Sequence, residues 1–455
     1  MARDVRLIRS PISVFGMVLT TISAALFLVV WLADLFGLHT NPYIGILFFL
    51  ILPAIFLVGL VLIPLGAWHE RRRRAAGKAP SAVSWPRIDL NDSRQRATAV
   101  GIFLLTMANV VIVSLASYRG VQYMDSVQFC GQVCHAVMKP EFVAHQFGPH
   151  ANVACVDCHV GPGASSFTSA KVTGLRRVSA VAFNNYPRPI RASQAQLVSA
   201  ADSCRQCHWP EASHGDKFTR VVEYADDQKN TQSVTTLAVH VGGGDPKLGQ
   251  TTGIHWHMNL ANKIEYAATD DELQTIPYVR MTDAQGNVRE YFTEAMKPTD
   301  VGSRNLRRME CMDCHNRPSH AVATTPERAV NEAMARGEIP VVLPFMHREA
   351  VKAVKAGYPS QDAAAREISQ VLRNFYRSSH PAAGVSPADV DRAVAGVTAV
   401  YQRNVFPDMK VGFGTYANNV GHIDSPGCFR CHDDNHKTRD GKTIGQDCET
   451  CHAIQ

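Results

Sequence analysis

The chain has 455 residues, enough for two or three domains. Apolar residues make up 46% of it, yet the mean hydropathy is only −0.09, so apolar character must be concentrated in particular segments. All 12 cysteines fall into six motifs that each end in histidine. No cysteine is left over, which argues against a disulfide-stapled fold.

Three apolar runs near the N-terminus predict membrane spans. Residues 12–37 and 43–67 are both long enough, because a helix needs about 20 residues to cross a bilayer. The run 98–117 is weaker but free of charge, and a surface helix is its alternative. The first run is too long for a cleaved signal peptide and lacks a convincing cleavage site.

The cations beside these runs predict their orientation. Arg3, Arg6 and Arg9 precede the first run, Arg71–Arg74 follow the second, and the connecting loop 39–42 has no cation. Since cytoplasmic loops carry the excess of lysine and arginine, everything after residue 118 is expected outside the cytoplasmic membrane. The sequence therefore predicts a membrane protein with its cysteine motifs on the side away from the cytoplasm.

Six cysteine pairs, each followed directly by histidine, carry the chemistry. Five have the spacing C-x-x-C-H, and the first has one extra residue between its cysteines. This spacing lets two thiols bond to one haem while the histidine faces its iron. Numbered in chain order, motifs 1 to 6 are Cys130/Cys134/His135, Cys155/Cys158/His159, Cys204/Cys207/His208, Cys311/Cys314/His315, Cys428/Cys431/His432 and Cys448/Cys451/His452.

Zinc and iron–sulfur sites also use cysteine pairs, but neither explains a histidine after the second cysteine in all six motifs. We therefore expect six covalently attached haem c groups. Haem propionates would pair with some of the arginines. The formal net charge of +6 thus says little about partners, and no nucleic-acid partner is expected.

The region after residue 118 is expected to be mainly α with loops and a small β insertion. Segments 276–281 and 288–293 flank a polar turn and predict a hairpin, and 218–241 suggests a second strand pair. Helical spacing follows Ser360, and a further helix is expected from Ser386 to about Arg403.

This pattern predicts four regions. They are a membrane domain (1–120), a region with motifs 1 to 3 (121–210), a haem-free insertion (211–310) and a C-terminal region with motifs 4 to 6 (311–455).

Six haems need a second axial ligand each if every iron is six-coordinate. His150, His320, His422 and His436 lie close to motifs or in rigid turns, so they are expected to be ligands. His255 and His257 would share one face of a strand, and we expect one of the two to be a ligand. Met138 is the expected second ligand at motif 1, where a thioether would raise the potential. With no iron position left open, terminal reductase catalysis is disfavoured.

The region 121–208 resembles the NapC/NirT family of membrane-anchored multihaem quinol dehydrogenases, and the stretch from Phe129 to His159 carries the resemblance. That family opens with a membrane span that leads into a haem motif with a nearby methionine. A histidine then follows shortly before a second motif, as it does here. The whole chain looks more like the larger inner-membrane cytochromes of metal-respiring bacteria.

The resemblance implies a menaquinol site beside the first haem, near a lysine to which Lys171 corresponds. The family's acidic residue near the first iron has no counterpart between His159 and Asp202. Quinol oxidation releases two protons, and Lys139, Glu141, His145 and Lys171 are titratable residues near the first two haems. Lys171 and Lys139 are the quinol-site candidates.

The sequence thus predicts a hexahaem cytochrome that draws electrons from the menaquinone pool in the lipid bilayer and passes them to a periplasmic cytochrome or reductase. The alternative is a relay subunit that takes electrons from other subunits of a membrane complex and binds no quinol.

Overall fold

The computed structural model describes residues 10–35, 52–77, 89–133, 135–160, 164–191, 199–208, 215–242, 252–259, 261–303, 305–379 and 385–454. It divides into two compact units, Met1–Asp125 and Ser126–Gln455. The second unit holds every cysteine motif.

The first unit contains three helices long and apolar enough to cross a membrane. They are α1 (Pro11–Leu35), α2 (Leu52–Ala75) and α3 (Ser93–Met124). This confirms three N-terminal apolar helices. The part of the second predicted run before Leu52 lies outside the described residues.

Helices α1 and α2 pack closely through small residues. A side chain at Gly16 would place its Cβ 2.8 Å from the backbone oxygen of Gly59. Ser13 donates a hydrogen bond across the same interface to the carbonyl oxygen of Ile63, at 2.8 Å. Small residues let helix backbones approach where lipid provides no hydrophobic drive. Most of the side chains of α3 are exposed, and Ala116 is its buried residue.

The second unit is mainly helical with short strands, as expected. Its remaining helices are α4 (His135–Phe147), α5 (Cys155–His159), α6 (Ala164–Ala182), α7 (Ala200–Ser203), α8 (Cys311–Cys314), α9 (Pro326–Ala335), α10 (Met346–Lys355), α11 (Gln361–Ser379), α12 (Pro387–Asn404) and α13 (Cys448–Cys451). Its strands are β1 (Gly215–Tyr224), β2 (Gln232–Gly242), β3 (Lys263–Ala267), β4 (Tyr278–Thr282), β5 (Val288–Phe292), β6 (Arg307–Arg308) and β7 (His452–Ile454).

Both predicted strand pairs are present. Strand β4 pairs antiparallel with β5 in the sheet β5-β4-β3-β6, and β1 pairs with β2 in the sheet β1-β2-β7. Strand β7 begins at the histidine of motif 6 and aligns it with Val239 of β2. The haem-free insertion therefore supports the last haem motif directly.

Helices α9 to α12 form the main apolar core. Val330, Ile368, Leu372 and Val397 are all fully buried there. As expected, α11 starts directly after Ser360, whose hydroxyl accepts a hydrogen bond from the Ala363 amide at 3.1 Å. Helix α12 spans the predicted segment and ends at Asn404. This bundle is a scaffold beside the motifs, because none of the six lies within it.

Candidate haem-binding site

Motifs 2 to 6 are each carried by a single tight turn of backbone. Motifs 2, 4 and 6 lie on the short helices α5, α8 and α13, and motifs 3 and 5 begin in 3₁₀ turns. Residues three apart on such a turn lie on the same side, so both thiols of a pair face one group. Motif 1 instead begins in a π-helical turn, Phe129–Val133. That wider turn suits its extra residue.

Tertiary folding brings a second histidine opposite the attachment histidines of motifs 2 to 6. The ring centres are 6.1 Å apart for His159 and His320, 6.1 Å for His208 and His150, 6.3 Å for His315 and His255, 5.8 Å for His432 and His257, and 6.1 Å for His452 and His422.

This spacing fits two imidazoles that bind one iron from opposite sides. Their centres would be roughly 6 Å apart, since each metal–nitrogen bond is about 2 Å and each ring centre lies about 1 Å beyond its nitrogen. A zinc site needs four converging ligands. Within the described part of the chain, no cluster of three or more histidine, cysteine or acidic residues is close enough to hold a metal ion alone. The paired rings with a thiol pair beside each suit a flat macrocycle.

Hydrogen bonds at Nδ1 leave Nε2 of the facing histidines available for iron. His255 donates from Nδ1 to the Val241 carbonyl at 3.1 Å, and His257 donates to the Ile254 carbonyl at 2.8 Å. His320 donates in the same way to the Glu141 carbonyl at 3.0 Å. Metal-binding histidines commonly donate their other ring hydrogen to a backbone carbonyl, which fixes both tautomer and orientation.

Burial keeps several of these imidazoles in the neutral form that binds metal. Removal from water lowers the pKa of His255, His257 and His315 below the ordinary histidine value. The same cause lowers the pKa of His159 and of His320. A neutral ring has the lone pair that ligation requires.

The expectation that His255 and His257 share one face is wrong. They lie in a 3₁₀ turn, Ile254–Met258, and not on a strand. Three residues make one turn of such a helix, so side chains two positions apart point in different directions. The turn follows Gly253, whose φ of +74° favours glycine. Each ring therefore faces a different motif.

His436 does not fit the ligand role expected of it. Its ring is 1% exposed; Nδ1 bonds the Asp433 carboxylate at 2.8 Å and Nε2 bonds the Ile276 carbonyl at 2.6 Å. Both ring nitrogens are thus engaged by protein oxygens, and neither is directed at an iron. His436 instead ties the segment after motif 5 to the start of the β4 hairpin.

The residues expected at the quinol site lie on two helices. Met138 is half-buried and Lys139 exposed on α4, while Lys171 lies on α6. Cys134 and the side chains of His135 and Lys171 lie outside the described residues.

Sequence reasoning missed a buried carboxylate inside motif 4. Asp313 is 1% exposed and accepts hydrogen bonds from Arg307 Nε at 2.7 Å and from the Tyr266 hydroxyl at 2.9 Å. It also accepts from the Glu310 amide and so caps its own turn. These bonds hold motif 4 against β3 and β6. The signal available was an acidic residue at the third helical position, where it can cap the turn.

Comparison with known proteins places this site among c-type cytochromes. The chain is 38% identical over 98% of its length to the cytochrome c-type protein ImcH of Geobacter sulfurreducens, of which it covers 88%. It is 30% identical to the cytochrome c nitrite reductase subunit NrfH of Nitratidesulfovibrio vulgaris, over 22% of this chain and 64% of that protein. No family model and no solved structure matches the chain.

Proposed function

Because this chain belongs to the family of membrane-bound c-type cytochromes that includes ImcH, we propose that it is an inner-membrane hexahaem cytochrome that oxidises menaquinol and relays electrons to a periplasmic acceptor. Its membership supports electron transfer through covalently bound haem c. The five facing histidine pairs are the observation that carries the proposal. A haem held between two histidines at each of these five motifs would suit electron relay better than substrate binding.

The proposed axial ligands are the two histidines of each facing pair. Motif 1 takes His135 and Met138, and all 12 cysteines form the attachments. The number of distal ligands stays as expected, because His255 and His257 are both proposed as ligands and His436 is not. Bound haem supplies one-electron redox chemistry. The chain supplies the thioether attachments, the oriented imidazoles and the exclusion of water.

The residues proposed for quinol oxidation are Lys171 and Lys139. Quinol oxidation releases two electrons and two protons, so the site needs a proton acceptor beside the first motif. Glu141 is less suited to that role, because Arg317 holds its carboxylate at 2.9 and 3.2 Å. Exposed apolar residues Val172 and Phe183 on and just after α6, with cations between them, are typical of a helix at a membrane surface.

Anaerobic mixing with a reduced menaquinone analogue tests this function. The lipid-embedded protein should show rapid haem reduction, followed at the α-band, and a quinol-site inhibitor should block it. Lys171→Ala should slow the reduction. Lys352→Ala is the matched control, because this exposed lysine lies on the scaffold helix α10. Equal rates in both variants would exclude Lys171 from the site.

The second candidate is a relay subunit fed by a partner in the membrane. The exposed apolar side chains along α3 favour it, since another membrane subunit could cover them. Reduction by dithionite but not by the quinol analogue would support this alternative and overturn quinol oxidation.

A further inference from the structure

We propose that the six motifs form one unbranched electron path in the order of the sequence, and that motif 6 is where electrons leave the protein. This inference rests on the relay function proposed above. It follows from contacts that join each motif to the next one along the chain.

Motifs 1 and 2 meet through their first cysteines. The side chains of Cys155 and Cys130 lie within hydrogen-bonding distance of each other. On α4, which begins at the histidine of motif 1, the His145 ring donates from Nε2 to the Val153 carbonyl, just before motif 2, at 3.0 Å. These contacts bring the attachment positions of motifs 1 and 2 close together. Motif 1 follows soon after α3 ends at Met124, so the path begins at the motif nearest in sequence to the last membrane helix.

Motifs 2 and 3 share the supports of their facing histidines. His320, which faces motif 2, donates to the Glu141 carbonyl at 3.0 Å. His150, which faces motif 3, donates to the Pro318 carbonyl at 3.3 Å. The same two segments, 141–150 and 317–320, thus hold both ligands.

Motifs 3 and 4 meet through a second pair of thiols. The side chains of Cys204 and Cys311 lie within hydrogen-bonding distance of each other. Beside this contact, the Ala200 amide donates to the Glu310 carboxylate at 3.2 Å. The turns that carry the two motifs are therefore joined at their N-terminal ends.

Motifs 4 and 5 are linked by one turn of backbone. His255 faces His315 and His257 faces His432, so two residues of a single 3₁₀ turn serve adjacent motifs. Arg430, inside motif 5, also donates to the Asp313 carbonyl inside motif 4, at 2.6 Å.

Two contacts join motifs 5 and 6. Phe429 of motif 5 stacks on His422, with ring centres 4.1 Å apart, and His422 faces His452 of motif 6. His432 donates from Nδ1 to the Gly445 carbonyl, just before motif 6 begins, at 3.0 Å.

These contacts place motifs 1 and 6 at opposite ends of the series.

Each quinol would give two electrons in succession and release two protons. Each step moves one electron from a reduced site to its oxidised neighbour. Two equivalents of a one-electron acceptor protein would then be reduced at motif 6 for each quinol oxidised.

Electron injection at motif 1 tests the order without using quinol. A ruthenium photoreductant attached at Lys139→Cys, an exposed position on α4, would deliver electrons to the start of the path. Paired Cys→Ala changes would remove motif 3 (Cys204, Cys207), motif 4 (Cys311, Cys314) or motif 6 (Cys448, Cys451). An unbranched path predicts fast reduction of two, three and five haems respectively. Fast reduction of all remaining haems without motif 4 would overturn the order.

Milder variants keep the test valid where a paired change prevents folding. His150→Met, His255→Met and His422→Met keep the covalent attachment but exchange a distal ligand. Methionine raises the potential, so a potentiometric titration should show one haem shifted upward in each. Photoinjected electrons should then collect at that haem. Equal reduction of the haems that follow it in the path would contradict the order.

The exit is tested by oxidation of the dithionite-reduced protein with a soluble oxidised c-type cytochrome. Removal of motif 6 should abolish the fast oxidation phase, and retention of that phase would overturn the exit assignment. Failure of quinol to reduce the unmodified protein would count against the proposed function alone, because photoinjection bypasses the quinol site.

Discussion

His320 donates its Nδ1 hydrogen to the backbone carbonyl of Glu141 at 3.0 Å, although the two lie 179 residues apart. Arg317 contacts both of these residues. Its guanidinium holds the Glu141 carboxylate, donates to the His320 carbonyl at 2.7 Å and lies 3.7 Å from the centre of the Tyr416 ring. The orientation of the histidine proposed for motif 2 therefore depends on its own segment and on two distant ones, around Glu141 and Tyr416.

We predict that Arg317→Met loosens His320. The Arg317–Glu141 pair is largely buried, so loss of its hydrogen bonds should cost about 2 kcal/mol of stability. The variant should show a high-spin haem by electron paramagnetic resonance and a lower thermal midpoint. Arg336→Met is the control, because its ion pairs are exposed and contribute little. A fully low-spin spectrum for Arg317→Met would contradict the orienting role.

His422 and His436 should behave differently when each is replaced by alanine. His422→Ala removes the ring that faces His452, so one haem should become high-spin. His436→Ala should leave every haem low-spin but destabilise the protein by about 1–3 kcal/mol, because it breaks hydrogen bonds in a buried site. Spin state and thermal midpoint measured together separate the two roles. A new high-spin signal in His436→Ala would restore it as a ligand.

The angles between facing rings predict two classes of haem spectrum. The rings are nearly perpendicular for His150 with His208, at 85°, and for His257 with His432, at 83°. They are closer to parallel at motifs 4 and 6, at 16° and 29°. Perpendicular imidazoles leave two iron d orbitals nearly equal in energy, which gives strongly anisotropic signals; near-parallel rings give rhombic ones. We expect both classes in the oxidised protein, and His150→Ala should remove a signal of the first class.

Asp433 should give the folded unit a dependence on acidic pH. Its partial burial alone would raise the pKa, but hydrogen bonds from His436 and the Asn435 amide outweigh this and hold the pKa below the ordinary aspartate value. A lowered folded-state pKa stabilises the protein above the unfolded value of 3.8. That stability is lost as the pH falls through the folded pKa.

Asp433→Asn tests this dependence. It should lower stability at neutral pH and weaken the loss of stability below about pH 4. Unfolding midpoints measured from neutral pH into this range, with Asp408→Asn as an exposed control, would show it. An unchanged pH profile in Asp433→Asn would contradict the role of this carboxylate.

The sequence by itself determined the chemistry and the local structure. A cysteine pair and its histidine lie within one turn of backbone, so their joint use is a local property readable from spacing. Apolar runs, the hairpin around residues 282–287 and the helix after Ser360 also depend on local patterns, and the structure confirms them.

Only the tertiary structure decided which second histidine meets which motif. His320 follows motif 4 closely yet faces motif 2, and His150 precedes motif 2 yet faces motif 3. His436 has favourable spacing, but its environment supplies two hydrogen-bond acceptors. An attachment histidine is fixed by covalent distance along the chain. Which histidine faces a motif is decided by long-range packing. The number of residues between two positions carries no information about how close that packing brings them.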